Sequence, residues 1–304
     1  MRIIVNGQQA FGSAVLEALL ERGEDVVGVY TAPDKEGRKP DPLKELAQSR
    51  GLPVFQPPTF KNRSVVEEVK SLKPDLGVMA FVTLFVPEDV LTIPTHGTIQ
   101  YHPSLLPLHR GPSAINWAII KGRKRTGLSI FWPDNGLDTG PILLQKEVEI
   151  TDDDTLGSVY FDKLFQLGVD ALIEAVDLVR DGKAARVVQD ETQATYESWC
   201  NREAAEIDWN KPIGDVYNLI RGCNPQPGAW TTVDGKTLQI YDVAKQTGGE
   251  GAPGQVTGLT GEGFTVAAAG GGILVKRVRP EGGDKTGAAD FAADAGLAEG
   301  RALG

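Results

Sequence analysis

The strongest constraint on this chain is an alternation of two hydrophobic periods. RIIVN reads as a short apolar strand, and GSAVLEALLERG carries apolar residues at helical spacing with Gly23 as a stop. DVVGVYT is a second strand and DPLKELAQSRG a second helix. LPVFQ, SVVEEVKSLK and DLGVMAF repeat the theme, followed by VPEDVLTI; GTIQYHP and GLSIFW are two more strands around the helix SAINWAIIKG. Strands alternating with amphipathic helices read as βαβ units. The expected fold class is therefore α/β, a Rossmann-like, mostly parallel sheet with helices on both faces. Residues 155–182 continue as a long helix-like stretch.

After about residue 205 the period changes. AWTTVDGKTLQIYDVA reads as a hairpin turning at Asp234-Gly235. GQVTGL, GFTVAAA and GGILVKRV are short strands separated by Gly-rich turns, and a glycine-rich tail closes the chain. Such spacing predicts a small OB-like β-barrel over residues 205–304, behind a first domain over residues 1–204. A chain of 304 residues has the length for two domains.

Composition narrows the partners. Acidic residues outnumber basic ones 41 to 31, a net charge of −10, which disfavours a polyanion such as tRNA as the main partner. The N-terminus MRIIVNGQQAFG has an apolar run of three residues before Asn6, not a signal peptide, and no window reaches the roughly 18 apolar residues of a membrane helix. The expectation is a cytoplasmic protein with no membrane partner. Two cysteines, Cys200 and Cys223, are too few for a disulfide framework or a zinc site and are expected to be idle thiols.

Three segments invite chemistry. NGQQAFG, between the first strand and helix, spaces its glycines unlike a dinucleotide fingerprint and reads as a tight turn. The three histidines, His96, His102 and His109, lie six and seven residues apart with no acidic residue among them, which argues against a metal. His96 reads as structural and His109, beside Arg110, as solvated. His102 differs: it follows GTIQY and enters a loop stiffened by Pro103 and Pro107. In open α/β sheets, ligands sit beyond the carboxyl ends of strands. The loop PDNGLDTG follows the strand GLSIFW, so both loops are expected at one crevice, where Asp138 is placed to orient an imidazole or take a proton.

HPSLLPLHRGPSAINW followed by GLDTG strongly resembles the formyltransferase family that uses 10-formyltetrahydrofolate, whose hallmark segments are SLLP-x-x-RG and LDTG. Ser104, Leu105, Leu106, Pro107, Arg110 and Gly111 carry the first of these. IDW-x-KP, IRGCNPQPGAW and the final AADF…GRALG resemble the family's C-terminal barrel. YTAPDKEGRKPDPL, YHPSLLP-x-HRG-x-SAINW and SIFW-x-D-x-GLDTG are most similar to the hydrolase domain of 10-formyltetrahydrofolate dehydrogenases.

The resemblance implies that His102 and Asp138 are the catalytic pair. Many members carry, two residues before the histidine, an asparagine that contacts the formyl oxygen; the dehydrogenase's hydrolase domain has an apolar residue there, and this chain has Gln100. It implies a folate pocket with one wall over Met79–Pro87, where Met79, Phe81, Leu84 and Phe85 lie, and another over residues 134–140, including Asp134, Gly136 and Leu137. Core packing is the alternative for those apolar residues. The implied substrate is 10-formyltetrahydrofolate and the implied product tetrahydrofolate, with no metal and no nicotinamide.

The chemistry asks for the same residue types: a formamide carbonyl under attack develops an oxyanion that needs donors, and the attacking group must lose a proton. Hydrolysis to formate is the first reading. Transfer to an amine, on methionyl-tRNA or an amino sugar, is the alternative; a folate-binding module without activity is the third. From residue 205 onward nine Lys and Arg stand against twelve Asp and Glu, a net −3, which weighs against a tRNA grip.

Overall fold

Seven strands build the first sheet: β1 (Arg2–Gly7), β2 (Asp25–Tyr30), β3 (Val54–Phe55), β4 (Leu76–Ala80), β5 (Thr98–His102), β6 (Arg125–Phe131) and β7 (Ile142–Glu149), in the spatial order β3-β2-β1-β4-β5-β6-β7. Strands β1 to β5 are mutually parallel, whereas β6 runs antiparallel to β5. The helices are α1 (Gln9–Glu21), α2 (Pro42–Ser49), α3 (Arg63–Ser71), α4 (Glu88–Leu91), α5 (Ala114–Ile120), α6 (Leu156–Ser158), α7 (Phe165–Arg180), α8 (Ile213–Gly222) and α9 (Ala288–Asp294). A computed structural model describes residues 1–248 and 251–304. The chain forms two compact units, one of Met1–Gly111, Gly127–Val148 and Lys163–Tyr196, the other of Pro112–Thr126, Glu149–Asp162 and Glu197–Gly304.

In the first unit, β1 and β4 read as nearly unbroken apolar runs because both their faces are covered. Ile3, Val5 and Leu76 are fully buried. Helix α1 buries Phe11, Val15, Leu16 and Leu19, its one apolar stripe, and packs beside α7. The stretch over 155–182 is not one uniform helix: α6 passes through a six-residue π turn, Val159–Leu164, into α7. The apolar spacing of the two helix types is too similar for the sequence to separate them.

The order of the sheet places a switch point between β1 and β4, since the chain fills β2 and β3 on one side of β1 before crossing to β4. Gly7 is required at that crossing: a Cβ there would stand 2.4 Å from the Ala80 carbonyl oxygen. The NGQQAFG turn is thus a packing turn. The N-terminus of α1 is already occupied from within, because the Asp41 carboxylate accepts from the Gln9 amide at 2.9 Å through both oxygens. The same carboxylate caps α2 through the Leu43 amide at 2.9 Å. Asp41→Ala is expected to cost about 1–2 kcal/mol by uncapping a helix, read as a fall in Tm with no change in secondary-structure content.

In the second unit, β8 (Ala229–Val233), β9 (Lys236–Gln246), β10 (Val256–Thr260), β11 (Gly263–Ala268), β12 (Gly271–Pro280) and β13 (Thr286–Gly287) form an antiparallel sheet in the order β10-β11-β12-β9-β8, with β13 paired to β12. The β8–β9 hairpin turns at Asp234 and Gly235 with φ of 52° and 76°, the two left-handed residues of a type I′ turn. The glycine-rich tail is partly ordered secondary structure: it supplies β13 and then α9, whose Ala288 and Ala292 are buried against β11 and β12. Small side chains let this helix approach closely. Helix α5, which follows the SLLP segment, belongs with this unit, where Trp117 and Ile120 pack on the core that α8 lines. Cys200 and Cys223 are both buried there as free thiols with sulfurs 3.7 Å apart. Among the described residues no helix is long and apolar enough to cross a membrane.

Candidate active site

Strand β5 delivers His102 as its last residue, paired with Ser129 of β6, rather than from the loop beyond it. Alternate residues of a strand share a face, so Gln100 lies on the same side as His102, half-buried between Met79 and Phe131 of the neighbouring strands. The loop that follows is stitched by buried hydroxyls and amides. Ser104 donates through its Oγ to the Leu108 carbonyl at 2.6 Å, and Ser129 Oγ donates to the Ser104 carbonyl at 2.7 Å. Ser129 Oγ also accepts from the Leu106 amide at 3.0 Å, and Gln145 donates to both Ser129 Oγ and the Leu106 carbonyl. Leu106 is buried and Leu105 half-buried, and the Leu106–Pro107 bond is cis.

His109 is not solvated as its polar neighbours suggest. It is buried at 3% exposure, in a left-handed conformation with φ 55°, and its amide donates to Thr195 Oγ1 at 2.8 Å. That conformation turns its carbonyl onto His102, whose Nε2 stands 2.9 Å away. A carbonyl only accepts, so Nε2 is the donor. The other ring nitrogen, Nδ1, faces Asp138 Oδ2 at 3.5 Å. Both side chains are about 95% buried, at 6% and 5% exposure. Asp138 also sits in the left-handed region, with φ 58°, and its Oδ2 accepts from the Gly111 amide at 2.9 Å.

The structure therefore brings His102 and Asp138 together, though not by the route the strand order suggests. Because β6 is antiparallel, its carboxyl end lies beside Gln100, toward the amino end of β5. The loop over 132–140 closes on itself, with the Trp132 amide donating to the Pro141 carbonyl at 2.9 Å, and folds back to carry Asp138 to His102. Asp134 shapes this loop from inside, accepting from the Gly136 amide at 3.0 Å and from Thr139 Oγ1 at 2.6 Å.

The apolar wall residues divide into two groups. Met79 is in the core cluster of β1 and β4, with Leu84 packed half-buried against it. The cavity lined by Tyr30, Phe60, Met79 and Leu91 includes neither His102 nor Asp138. Phe81, Phe85 and Leu137 are half exposed, at 48, 55 and 51%. The two wall segments are tied together where Asn135 donates to the Glu88 carboxylate at the start of α4. Gln8, at the end of β1, holds the first wall by donating to Thr83 Oγ1 at 3.2 Å.

Arg110 makes its side-chain hydrogen bonds to residues other than His102 and Asp138. Its guanidinium is buried and forks onto Glu191, at 2.9 and 2.6 Å, and onto Gln189 Oε1, at 3.2 and 2.8 Å. The bonds with Glu191 raise the arginine's pKa further and hold the glutamate's carboxyl below the usual range. The residues that the sequence alone does not single out are these long-range partners: Ser129, Gln145, Gln189, Glu191 and Thr195. The segment carrying the last three, QDETQATYE, reads locally as a polar loop, and only the fold brings it here.

Residues 1–176 match the formyl transferase family and residues 200–296 match the formyl transferase C-terminal domain, so this chain belongs to the formyl transferase family. It is 41% identical to a methionyl-tRNA formyltransferase of Geotalea uraniireducens over 100% of this chain and 98% of that one. It is 44% identical to a cytosolic 10-formyltetrahydrofolate dehydrogenase of Xenopus laevis over 86% of this chain, which spans only 29% of that longer protein. Its fold is shared with an N-formyltransferase from Helicobacter canadensis crystallised with folinic acid and dTDP-3-aminofucose, at a TM-score of 0.69 and 16% identity, covering 94% of this chain and 100% of that one.

Proposed function

We propose that this protein removes the formyl group of 10-formyltetrahydrofolate by hydrolysis, releasing formate and tetrahydrofolate. The observation that carries the reading is the buried His102–Asp138 pair at 3.5 Å, which joins the residue two before SLLP-x-x-RG to the aspartate of LDTG. That separation is too long for a well-made hydrogen bond. It leaves Nδ1 and the carboxylate each able to take a further partner while Nε2 stays tied to His109. Asp138 accepts a proton from the attacking water, whose oxygen bonds to the formyl carbon. With His102 as the imidazolium, which carries a proton on each ring nitrogen, Nδ1–H stabilises the oxyanion of the tetrahedral intermediate, with Gln100 on the same strand face as a second donor. The bond from carbon to N10 then breaks, and the proton passes to that nitrogen.

Exposed Phe81, Phe85 and Leu137 suit a wall for a planar ring better than a core, and Asp134 and Gly136 hold that wall's shape. Residues 1–204 would carry this chemistry, with 205–304 as the accompanying domain.

A second reading is transfer of the same formyl group to an amine, favoured by the end-to-end likeness to a methionyl-tRNA formyltransferase. Asp138 would then take the proton of the amine. The test is incubation of the purified protein with 10-formyltetrahydrofolate and no acceptor, following tetrahydrofolate spectroscopically. Steady release supports hydrolysis. Folate binding without release, followed by turnover on adding methionyl-tRNA or a small amine, overturns hydrolysis in favour of transfer. Absence of folate binding overturns both.

A further inference from the structure

A side chain outside both motif segments grips the peptide that carries Asp138. We infer that Gln189 is a positioning residue for the reaction, an inference that rests on Asp138 being the proton acceptor. Gln189 is buried at 5% exposure, and its Nε2 donates to the Asp138 carbonyl at 2.9 Å and to the Gly140 carbonyl at 2.7 Å. Its Oε1 accepts from Arg110 Nε at 3.2 Å and Nη2 at 2.8 Å. Two donors and two acceptor sites are all an amide has, and all four are used.

The geometry gives this network a purpose beyond general cohesion. A non-glycine residue in the left-handed region, as Asp138 is, costs of order 1 kcal/mol or more and persists only where its surroundings over-determine it. Gln189 fixes the peptide on one side of the Asp138 Cα by gripping its carbonyl. On the other side of the carboxylate, Gly111 donates its amide to Oδ2, and Gly111 follows Arg110, the residue that Gln189 holds through its oxygen. One amide side chain thus couples the backbone bearing the carboxylate to the backbone that aims it. Glu191 completes the fork on Arg110 from the same segment. Gln189 itself has no unoccupied donor or acceptor left for a substrate, so its effect is on where Asp138 stands.

The test compares Gln189→Ala and Gln189→Glu with the unaltered protein and with Asp138→Asn. Displacing a reacting group by an ångström is worth about a hundredfold in rate. The expected result is a ten- to hundredfold fall in kcat with KM for the folate changed less than about threefold. Gln189→Glu is the informative variant, since it keeps the acceptor for Arg110 but sets a carboxylate oxygen against the Asp138 and Gly140 carbonyls in place of the donors. It should fall as far as Gln189→Ala. Combined with Asp138→Asn, Gln189→Ala should add almost nothing, because both act on one group. Unchanged kcat per folded molecule beside a lowered Tm, or effects that add in full, would overturn the assignment and leave Gln189 a structural staple.

A second readout does not depend on turnover. With three histidines in the chain, the ring nitrogen resonances of His102 are identified by their loss in His102→Ala. In Gln189→Ala they should move as they do in Asp138→Asn. If they stay in place, the inference fails even where the unaltered protein turns over no folate, and an inactive protein with shifted resonances refutes only the functional reading.

Discussion

Replacing His102 by alanine is expected to reduce turnover of 10-formyltetrahydrofolate by about 10²–10⁴-fold, the range for loss of a positioned proton-transfer or oxyanion-stabilising group. The imidazole is fixed at Nε2 by the His109 carbonyl at 2.9 Å and faces Asp138 across 3.5 Å, so its removal takes away a positioned group. It also leaves the buried His109 carbonyl without that partner, which costs about 1–3 kcal/mol of stability. Activity must therefore be measured per folded molecule, with folate binding checked by fluorescence. Retained binding with lost turnover is the expected outcome; turnover within about fivefold of the original would remove His102 from the chemistry. Asp138→Asn is the companion measurement, because the asparagine oxygen still accepts from Gly111 while the base is gone.

The second large effect is expected from Gly140→Ala. A Cβ at Gly140 would stand 1.8 Å from the Trp132 carbonyl oxygen and 2.9 Å from its carbon. Both are backbone atoms, so no rotamer change relieves the clash; the loop closed by the Trp132–Pro141 hydrogen bond has to open instead. Overpacking of this kind costs about 3 kcal/mol or more. At roughly 2–4 °C per kcal/mol, Tm should fall by about 6–12 °C. Turnover should fall with it, since Asp138 is two residues away and the Gly140 carbonyl is one of the two that Gln189 holds. Gly258→Ala is the control: nothing lies within 4 Å of a Cβ there, and Tm should move by no more than about a degree. An unchanged Tm for Gly140→Ala would mean that the loop over 132–140 yields without cost.

The α/β class of the first unit and the hairpin at Asp234-Gly235 are legible in the sequence because they rest on local period and turn chemistry. What local pattern cannot carry is direction and distance. GLSIFW announces a strand, but nothing in six residues says that it runs antiparallel to β5, so the return of the 132–140 loop to His102 comes only from the fold. His109 looks solvated because its neighbour is an arginine, yet that arginine is itself buried by Gln189 and Glu191, eighty residues on. The tail looks structureless because glycine and alanine give no amphipathic signal, although α9 uses alanine to pack tightly. The motif segments identify the ends of the network around Asp138, while the side chain joining them lies in a stretch with no signature.

The two units are interleaved along the chain, which passes from one to the other five times, at 111/112, 126/127, 148/149, 162/163 and 196/197. Shuffling of modules at the gene level is therefore constrained. A fragment beginning at residue 205 would leave behind Trp117 and Ile120, which pack on its core, and the Thr151 and Asp154 carbonyls that bind the buried Arg221. A chimera that exchanges the second unit has to carry three separate stretches of chain, and a protease nick at any of the three inner crossings, 126/127, 148/149 or 162/163, would leave each body made of pieces from both fragments.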